Sequence, residues 1–289
     1  MSFDIKTSLR SAFKSSVLIL KLIVPLYILS DILLYTGWLD KVSFLFEPIA
    51  SFLGLPLQTA LSLAAGVFIN IYAAIALAAP LGLSPYEWSI MGLFLGVCHS
   101  LVIESAIMKK LGISYAYSFV LRFVMGFVSV YPLRFFPDRW FENSIKQNSI
   151  SQIKYSDFWQ MLNHSFVGSL ELSFKIILLV GFIIILMDVI KSTKIVQSYS
   201  QKVSTSFSIL AGLILGITYG AGVLIKEARS GDLSKKDILF IATFLMICHS
   251  VIEDTLLFVI FGANIWILIG VRVLFASLVA LWVKKIDFL

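Results

Sequence analysis

Two short polar motifs stand out because they are nearly identical and lie within strongly apolar segments. Residues 94–104 read FLGVCHSLVIE and residues 244–254 read FLMICHSVIED, so Cys-His-Ser begins at Cys98 and again at Cys248. Imidazole and thiolate groups bind transition metals, and imidazole also relays protons and hydrogen-bonds solutes. Histidine and cysteine are rare in this chain. The repetition therefore indicates an internal duplication with one polar motif in each half.

The side chains around the two histidines define the predicted site. Positions four residues apart share a helix face, which groups the serine and the acid of each motif. Glu253 shares a face with His249 and has no counterpart, because Ile103 takes its place. The sequence predicts a mid-membrane site for a solute or ion lined by His99, His249, Ser100, Ser250, Glu104, Asp254 and Glu253.

A metal-ligand set is a second interpretation of the same motifs. Because neighbouring residues on a regular helix diverge by about 100°, a cysteine and the next histidine reach one ion only where the helix is broken. This set would consist of Cys98, His99, Cys248 and His249. The opposing interpretation is that the cysteines fill packing space and the histidines bond to the backbone of a neighbouring helix.

Each motif is followed by a glycine and then an arginine at matched spacing. Glu104 precedes Gly112 by 8 residues and Arg122 follows it by 10. At ~1.5 Å per residue, antiparallel helices joined at this glycine would place both charges at similar depth. A charge inside a bilayer costs about 2.5–3.5 kcal/mol and normally has a partner. We predict two ion pairs that either join helices or serve the site: Glu104–Arg122 and Asp254–Arg272.

The whole composition is that of a membrane-spanning protein. Of 289 residues 59% are hydrophobic and 14% charged, with a mean hydropathy of +0.94. Only helices and closed barrels satisfy backbone groups in lipid, and apolar runs of this length are helical. The fold class is all-α and polytopic, with about eight transmembrane helices near 16–37, 57–83, 85–110, 115–135, 158–190, 207–225, 238–261 and 265–283. Segments 42–53 and 191–206 predict short re-entrant or amphipathic helices.

The longest polar stretch, 136–157, divides the chain into a first repeat at 1–135 and a second at 158–289. Four crossings per repeat would make the repeats parallel, and five would make them inverted; the sequence leaves both open. The distribution of Lys and Arg favours cytoplasmic N- and C-termini. No basic run indicates nucleic-acid binding, so the expected partners are the lipid bilayer and a small solute or ion.

At these motifs the chain resembles the nucleoside-recognition, or Gate, family of bacterial membrane proteins, whose repeats also occur in the membrane part of ferrous-iron permeases. In those permeases a Gly-x-Cys motif begins a broken helix in each repeat. Gly96-Val97-Cys98 fits this pattern, whereas Met246-Ile247-Cys248 keeps only the cysteine. The resemblance covers most of each half, and it implies a transporter-like or gating fold in the bacterial cytoplasmic membrane.

The sequence is consistent with two classes of function. The first is a permease for a small polar solute or a divalent metal ion, with the metal as substrate and no resident cofactor. The second is a non-transporting membrane subunit or scaffold that acts with a partner protein. The chain has no HExxH or GxSxG pattern, so we expect no enzyme. The sequence leaves open whether the protein forms a homo-oligomer.

Overall fold

A computed structural model describes residues 4–141, 155–193, 213 and 234–286, and every regular element in these ranges is a helix. The main helices are α1 (Ile5–Tyr35), α2 (Trp38–Ser43), α3 (Glu47–Leu53), α4 (Ala60–Phe68), α5 (Ile71–Ala78), α6 (Pro85–Cys98), α7 (Leu101–Lys110), α8 (Tyr115–Val130), α9 (Phe158–Ser192), α10 (Lys235–Ile247), α11 (Val251–Val259) and α12 (Ile265–Lys285). Short 3-10 helices lie at Phe44–Phe46, Leu57–Thr59, Ala79–Leu81, Tyr131–Phe135 and Asp138–Phe141. The all-helical fold class is confirmed.

Six described segments are long and apolar enough to cross a bilayer. They are Ile5–Tyr35, Pro85–Lys110, Tyr115–Phe135, Phe158–Ile190, Lys235–Val259 and Ile265–Lys285. A seventh candidate is the pair Trp38–Leu53 and Leu57–Phe68, which bends by 112°. The predicted number of about eight is not confirmed. The expected span at 207–225 lies outside the described residues except for Leu213, and so do most of 191–206 and of the 136–157 link.

The predicted crossing at 57–83 is wrong as a single helix, because the chain breaks at Asn70. Asn70 is fully extended (φ −171°, ψ 173°), and its side chain accepts a hydrogen bond from the backbone N–H of Ala73. Asparagine is a strong helix N-cap, since its short side chain replaces the missing backbone acceptor. It therefore ends α4 and starts α5 within an apolar stretch that hydropathy alone reads as continuous.

Helices α1 and α9 pack as an antiparallel pair joined by two serine–aspartate hydrogen bonds. Ser8 Oγ donates to Asp188 Oδ2 over 2.7 Å near one end. Ser165 Oγ donates to Asp31 Oδ2 over 2.5 Å near the other. Each helix thus contributes one serine and one aspartate, and the same type of hydrogen bond joins the pair near both ends.

The remaining helices run in directions that also reverse between the two halves. Helix α8 is antiparallel to α6, because Arg122 contacts Val97 and Ser129, further along α8, reaches back to Leu93. Helix α12 is parallel to α6, because Gly92 lies against Leu268 and Gly96 lies against Arg272. The corresponding helices α8 and α12 are therefore antiparallel. This is the direction pattern of inverted repeats.

Candidate functional site

Both Cys-His-Ser motifs lie at breaks between two helices. The chain leaves helix α6 at Cys98 and re-enters a helix at Leu101, and the second motif repeats this between α10 and α11. Ser100 and Ser250 have φ values of 47° and 45°, and among described residues they are the non-glycine residues with positive φ. This left-handed conformation costs roughly 1–2 kcal/mol for an L-residue. The two breaks therefore share one strained geometry, and such strain concentrates at functional positions.

The buried arginines supply donors to carbonyl groups that the breaks release from helical bonding. Arg122 donates from Nε to Val97 O over 2.8 Å and from Nη2 to His99 O over 2.8 Å. Arg272 donates from Nη2 to His249 O over 2.6 Å. Backbone groups at membrane depth need such partners, because lipid offers none. The arginines thus stabilise the broken helices, a role that the sequence reading did not assign to them.

The structure brings each arginine to the acid of its own repeat. Arg122 Nη2 lies 2.7 Å from Glu104 Oε2, whereas Arg272 Nη2 lies 3.4 Å from Asp254 Oδ2. All four side chains are buried. The first pair is a close ion pair and the second is looser. The two halves therefore hold equivalent ion pairs, but the pair in the first half is closer.

The two histidines converge on a single carboxylate, that of Glu104. His99 Nε2 lies 3.3 Å from Glu104 Oε1, and His249 Nε2, from the other half, lies 3.2 Å from Glu104 Oε2. The imidazole centroids are 5.2 Å apart. One ligand atom from each of these buried residues lies within 4.8 Å of the other two, so the three form a set that could hold a metal ion.

The hydrogen bonds of the imidazole rings fix which nitrogen faces the carboxylate. Nδ1 of His99 donates to Leu95 O over 2.7 Å, and Nδ1 of His249 donates to Leu245 O over 2.9 Å. Because a carbonyl oxygen only accepts, Nδ1 carries the hydrogen of the neutral ring. Nε2 then presents a lone pair to a carboxylate oxygen. Two acceptors at this distance require a cation, either a proton or a metal ion, between or beside them.

The surroundings of His249 Nε2 also indicate that a cation is needed beside it. The residue is 1% exposed, and within the described part of the chain Nε2 has no well-directed hydrogen bond. Its contact with Glu104 is close but poorly aligned. A buried polar atom with only a poorly aligned contact is costly, and a cation beside it would give it a well-directed partner.

The other predicted ligands do not join the His–Glu–His set. Cys98 packs in the hydrophobic cluster that includes α1 and α5, and Cys248 packs in the separate cluster between α10 and α12. The structure therefore does not bring the two thiols to the histidines' common carboxylate: the thiols lie in packed hydrophobic clusters, whereas the two imidazoles meet at Glu104. Ser100 instead bonds the α4–α5 break, through its N–H to Gly66 O (2.9 Å) and its hydroxyl to Ile69 O (3.1 Å).

Two of the predicted site residues, Asp254 and Glu253, form polar contacts outside the His–Glu–His set. Asp254 pairs with Arg272, and Glu253 accepts a hydrogen bond from Tyr72 Oη over 2.7 Å. Tyr72 was missed as a site residue, although a tyrosine two positions after an asparagine inside an apolar run is a detectable signal. Ser250 begins α11 in the left-handed conformation.

Comparisons with known proteins agree with this architecture. The family model described as "Gate: Nucleoside recognition" matches residues 16–114, which include the first Cys-His-Ser motif. The uncharacterized membrane protein YvoD of Bacillus subtilis (strain 168) is 30% identical over 285 residues, covering 94% of this chain and 91% of YvoD. The chain belongs to the Gate family of membrane proteins. No solved structure gives a significant match to this Gate-family chain.

Proposed function

We propose that this Gate-family protein is a permease for a divalent transition-metal ion and that His99, Glu104 and His249 bind the ion during transport. The observation that carries the proposal is the convergence of two Nε2 atoms, one from each half, on one buried carboxylate. Two imidazoles and a carboxylate suit ions such as Zn²⁺, Fe²⁺ or Mn²⁺. Mg²⁺ and Ca²⁺ prefer oxygen ligands only. Gate-domain membrane proteins are typically transporters or permeases rather than enzymes.

The location of the site between the two halves supports transport over a purely structural role. We propose two repeats, 1–135 and 158–289, whose relative movement opens the site to one side and then to the other. Transporters with inverted repeats commonly bind substrate at the repeat interface, on broken helices near mid-membrane. Since His249 comes from the second repeat while His99 and Glu104 come from the first, such movement would also change the ligand set and weaken binding.

The helix directions support an orientation in the cytoplasmic membrane with the start of α1 and the end of α12 inside. Asn264, at the start of α12, bonds Ser89 near the start of α6. Ser30, near the end of α1, bonds Leu77 in the last turn of α5, the helix that precedes α6. The start of α1 and the end of α12 therefore share the opposite face. That face carries Lys6, Arg10, Lys14, Lys109, Lys110, Lys235, Lys236, Lys284 and Lys285, against Lys41, Arg134 and Arg139 on the other. Basic residues collect on the cytoplasmic side.

Equilibrium binding and uptake of Zn²⁺ test the proposal. Purified protein and proteoliposomes should bind and accumulate Zn²⁺, and an excess of Mg²⁺ should not compete. His99→Ala and His249→Ala should each weaken binding at least tenfold and abolish uptake, because each removes one of three ligands. His164→Ala is the matched control, since this third histidine lies at the start of α9 and bonds Tyr155. Equal Zn²⁺ binding by the wild type and the double variant of His99 and His249 would overturn the proposal.

The same assay distinguishes an organic solute from a metal ion. Radiolabelled nucleosides should not accumulate in the proteoliposomes. If they did so in a manner that depends on His99 and His249, with no Zn²⁺ binding, the histidines would serve a polar organic substrate and the metal would be rejected as cargo.

A further inference from the structure

Glu253 differs from the other two acids of the site because its side chain is hydrogen-bonded to a neutral group. Glu104 and Asp254 lie beside arginines. Glu253 accepts a hydrogen bond from the hydroxyl of Tyr72, and among the described residues it forms no ion pair. An ionised carboxylate is expensive inside a membrane when no cation is close. A carboxylate in this position can instead become neutral by binding a proton.

The charged groups near Glu253 are already paired with other groups. Asp254, the next residue, pairs with Arg272, and the imidazole of His99 lies beside Glu104. Helix α9, which also packs on α11, carries Glu171 and Lys175, and these two side chains pair with each other at the exposed surface. Among the described residues no cation forms an ion pair with Glu253, whereas a bound metal would place a cation nearby.

The net charge of the site determines how a bound metal ion would affect the protonation of Glu253. Arg122 offsets Glu104, and Arg272 offsets Asp254. A dication that replaces the proton of the empty His–Glu–His set therefore adds one net positive charge to a poorly solvated region, where electrostatic interactions are strong. Ionisation of Glu253 removes this excess charge. Metal binding and proton loss from Glu253 should therefore favour each other.

We propose that Glu253 is the coupling-proton site of this permease: it holds a proton when the metal site is empty and releases it when the metal binds. The step breaks the carboxyl O–H bond, leaves the electron pair on Glu253 and delivers the proton to water, with no redox change. The inference rests on the proposed metal transport. Tyr72 belongs to α5 in the first half, so the Glu253–Tyr72 contact also lies between the halves that must move.

Proton release during Zn²⁺ binding provides the test. Calorimetric titrations in buffers with different ionisation enthalpies count the protons released per Zn²⁺ bound. The wild type should release about one proton more than Glu253→Gln, since a glutamine keeps an acceptor for Tyr72 but cannot ionise. Glu253→Asp should restore the release. Glu171→Gln, which removes an exposed acid, is the control and should match the wild type.

Uptake driven by a pH gradient gives the second readout. In proteoliposomes, a proton gradient should raise the wild-type rate of Zn²⁺ accumulation, and Glu253→Gln should lose at least tenfold of this stimulation while still binding Zn²⁺. Zn²⁺ binding with equal proton release from wild type and Glu253→Gln would overturn the coupling role and leave the metal site intact. Absence of Zn²⁺ binding by the wild type would overturn both proposals. If Glu253→Gln does not fold, failure of Glu253→Asp to release the extra proton decides against the coupling role.

Discussion

At the scale of single residues, the breaks depend on conformations that few side chains tolerate. Ser100 adopts φ 47°, and its N–H and hydroxyl donate hydrogen bonds to carbonyl groups near the α4–α5 break. Glycine adopts this conformation without a steric penalty, whereas a β-branched residue there is a strong outlier. The position thus combines a backbone requirement with one side-chain hydrogen bond.

Substitutions of Ser100 separate these two contributions. Ser100→Gly should stay within about 1 kcal/mol of wild type, because relief of strain offsets the lost hydrogen bond. Ser100→Val keeps the strain and loses the bond, so it should be less stable by roughly 2–3 kcal/mol. Thermal unfolding in detergent measures the difference. Equal stability of the valine and glycine variants would contradict the assigned conformation.

Gly96 is the other residue whose identity follows from a single contact. A Cβ atom there would lie 3.1 Å from Cζ of Arg272, so the guanidinium, which also bonds His249 O, must shift by a few tenths of an ångström. Gly96→Ala should therefore destabilise the protein by about 1–3 kcal/mol, in the range of overpacked sites. Gly270→Ala is the control, because nothing lies within 4 Å of its added Cβ. The two melting temperatures should separate clearly; a Gly96→Ala value equal to the control would rule out this close approach.

At the scale of helices, the α1–α9 pair depends on reciprocal polar contacts inside an apolar interface. Asp31 is 3% exposed, and its carboxylate receives the hydroxyl of Ser165. Leaving a buried acceptor unsatisfied costs more than the bond itself contributes. The serine should therefore be harder to remove alone than together with its acid.

A double-mutant cycle on this pair tests the coupling. Ser165→Ala should destabilise by about 1–3 kcal/mol, and the combination with Asp31→Ala should recover part of that loss. Ser173→Ala is the matched control, since its buried hydroxyl bonds only the backbone of its own helix at Ser169. Additive effects of Ser165→Ala and Asp31→Ala would show that the two side chains act independently.

Sequence reasoning reached the residues of the site but not the way in which they combine. The duplicated motif identified both histidines, and matched spacing from Gly112 and Gly262 anticipated acid–arginine neighbours. The meeting of Glu104 with His249 depends on the antiparallel arrangement of two distant segments, which spacing within one repeat does not encode. The break at Asn70 escaped detection because hydropathy averages over a single polar residue.

At the scale of the whole molecule, the inverted helix directions sort basic residues by face. The face with the start of α1 and the end of α12 carries three times as many described Lys and Arg residues as the other. This separation is sharper than the sequence predicted with four crossings per half. Lys109 and Lys110 lie on the face that holds the start of α1, whereas Arg134 and Arg139 lie on the opposite face.

Thiol labelling in intact cells tests this orientation. The native cysteines, Cys98 and Cys248, are fully buried and should give no background. Arg139→Cys should react with a membrane-impermeant maleimide, because the proposed orientation places this residue outside the cell. Lys285→Cys should react only after the cells are permeabilised. The reverse labelling pattern would place the termini outside.

The difference between glutamate and aspartate at equivalent positions predicts how many ions each polypeptide binds in the proposed transport cycle. Glu104 is one methylene longer than Asp254, and it is the acid that reaches both imidazoles while Asp254 reaches Arg272. Two equivalent motifs could form two ligand sites, but here the histidines of both motifs lie beside a single carboxylate. Each polypeptide should accordingly saturate with one ion per cycle, and neither half on its own should retain a complete coordination shell.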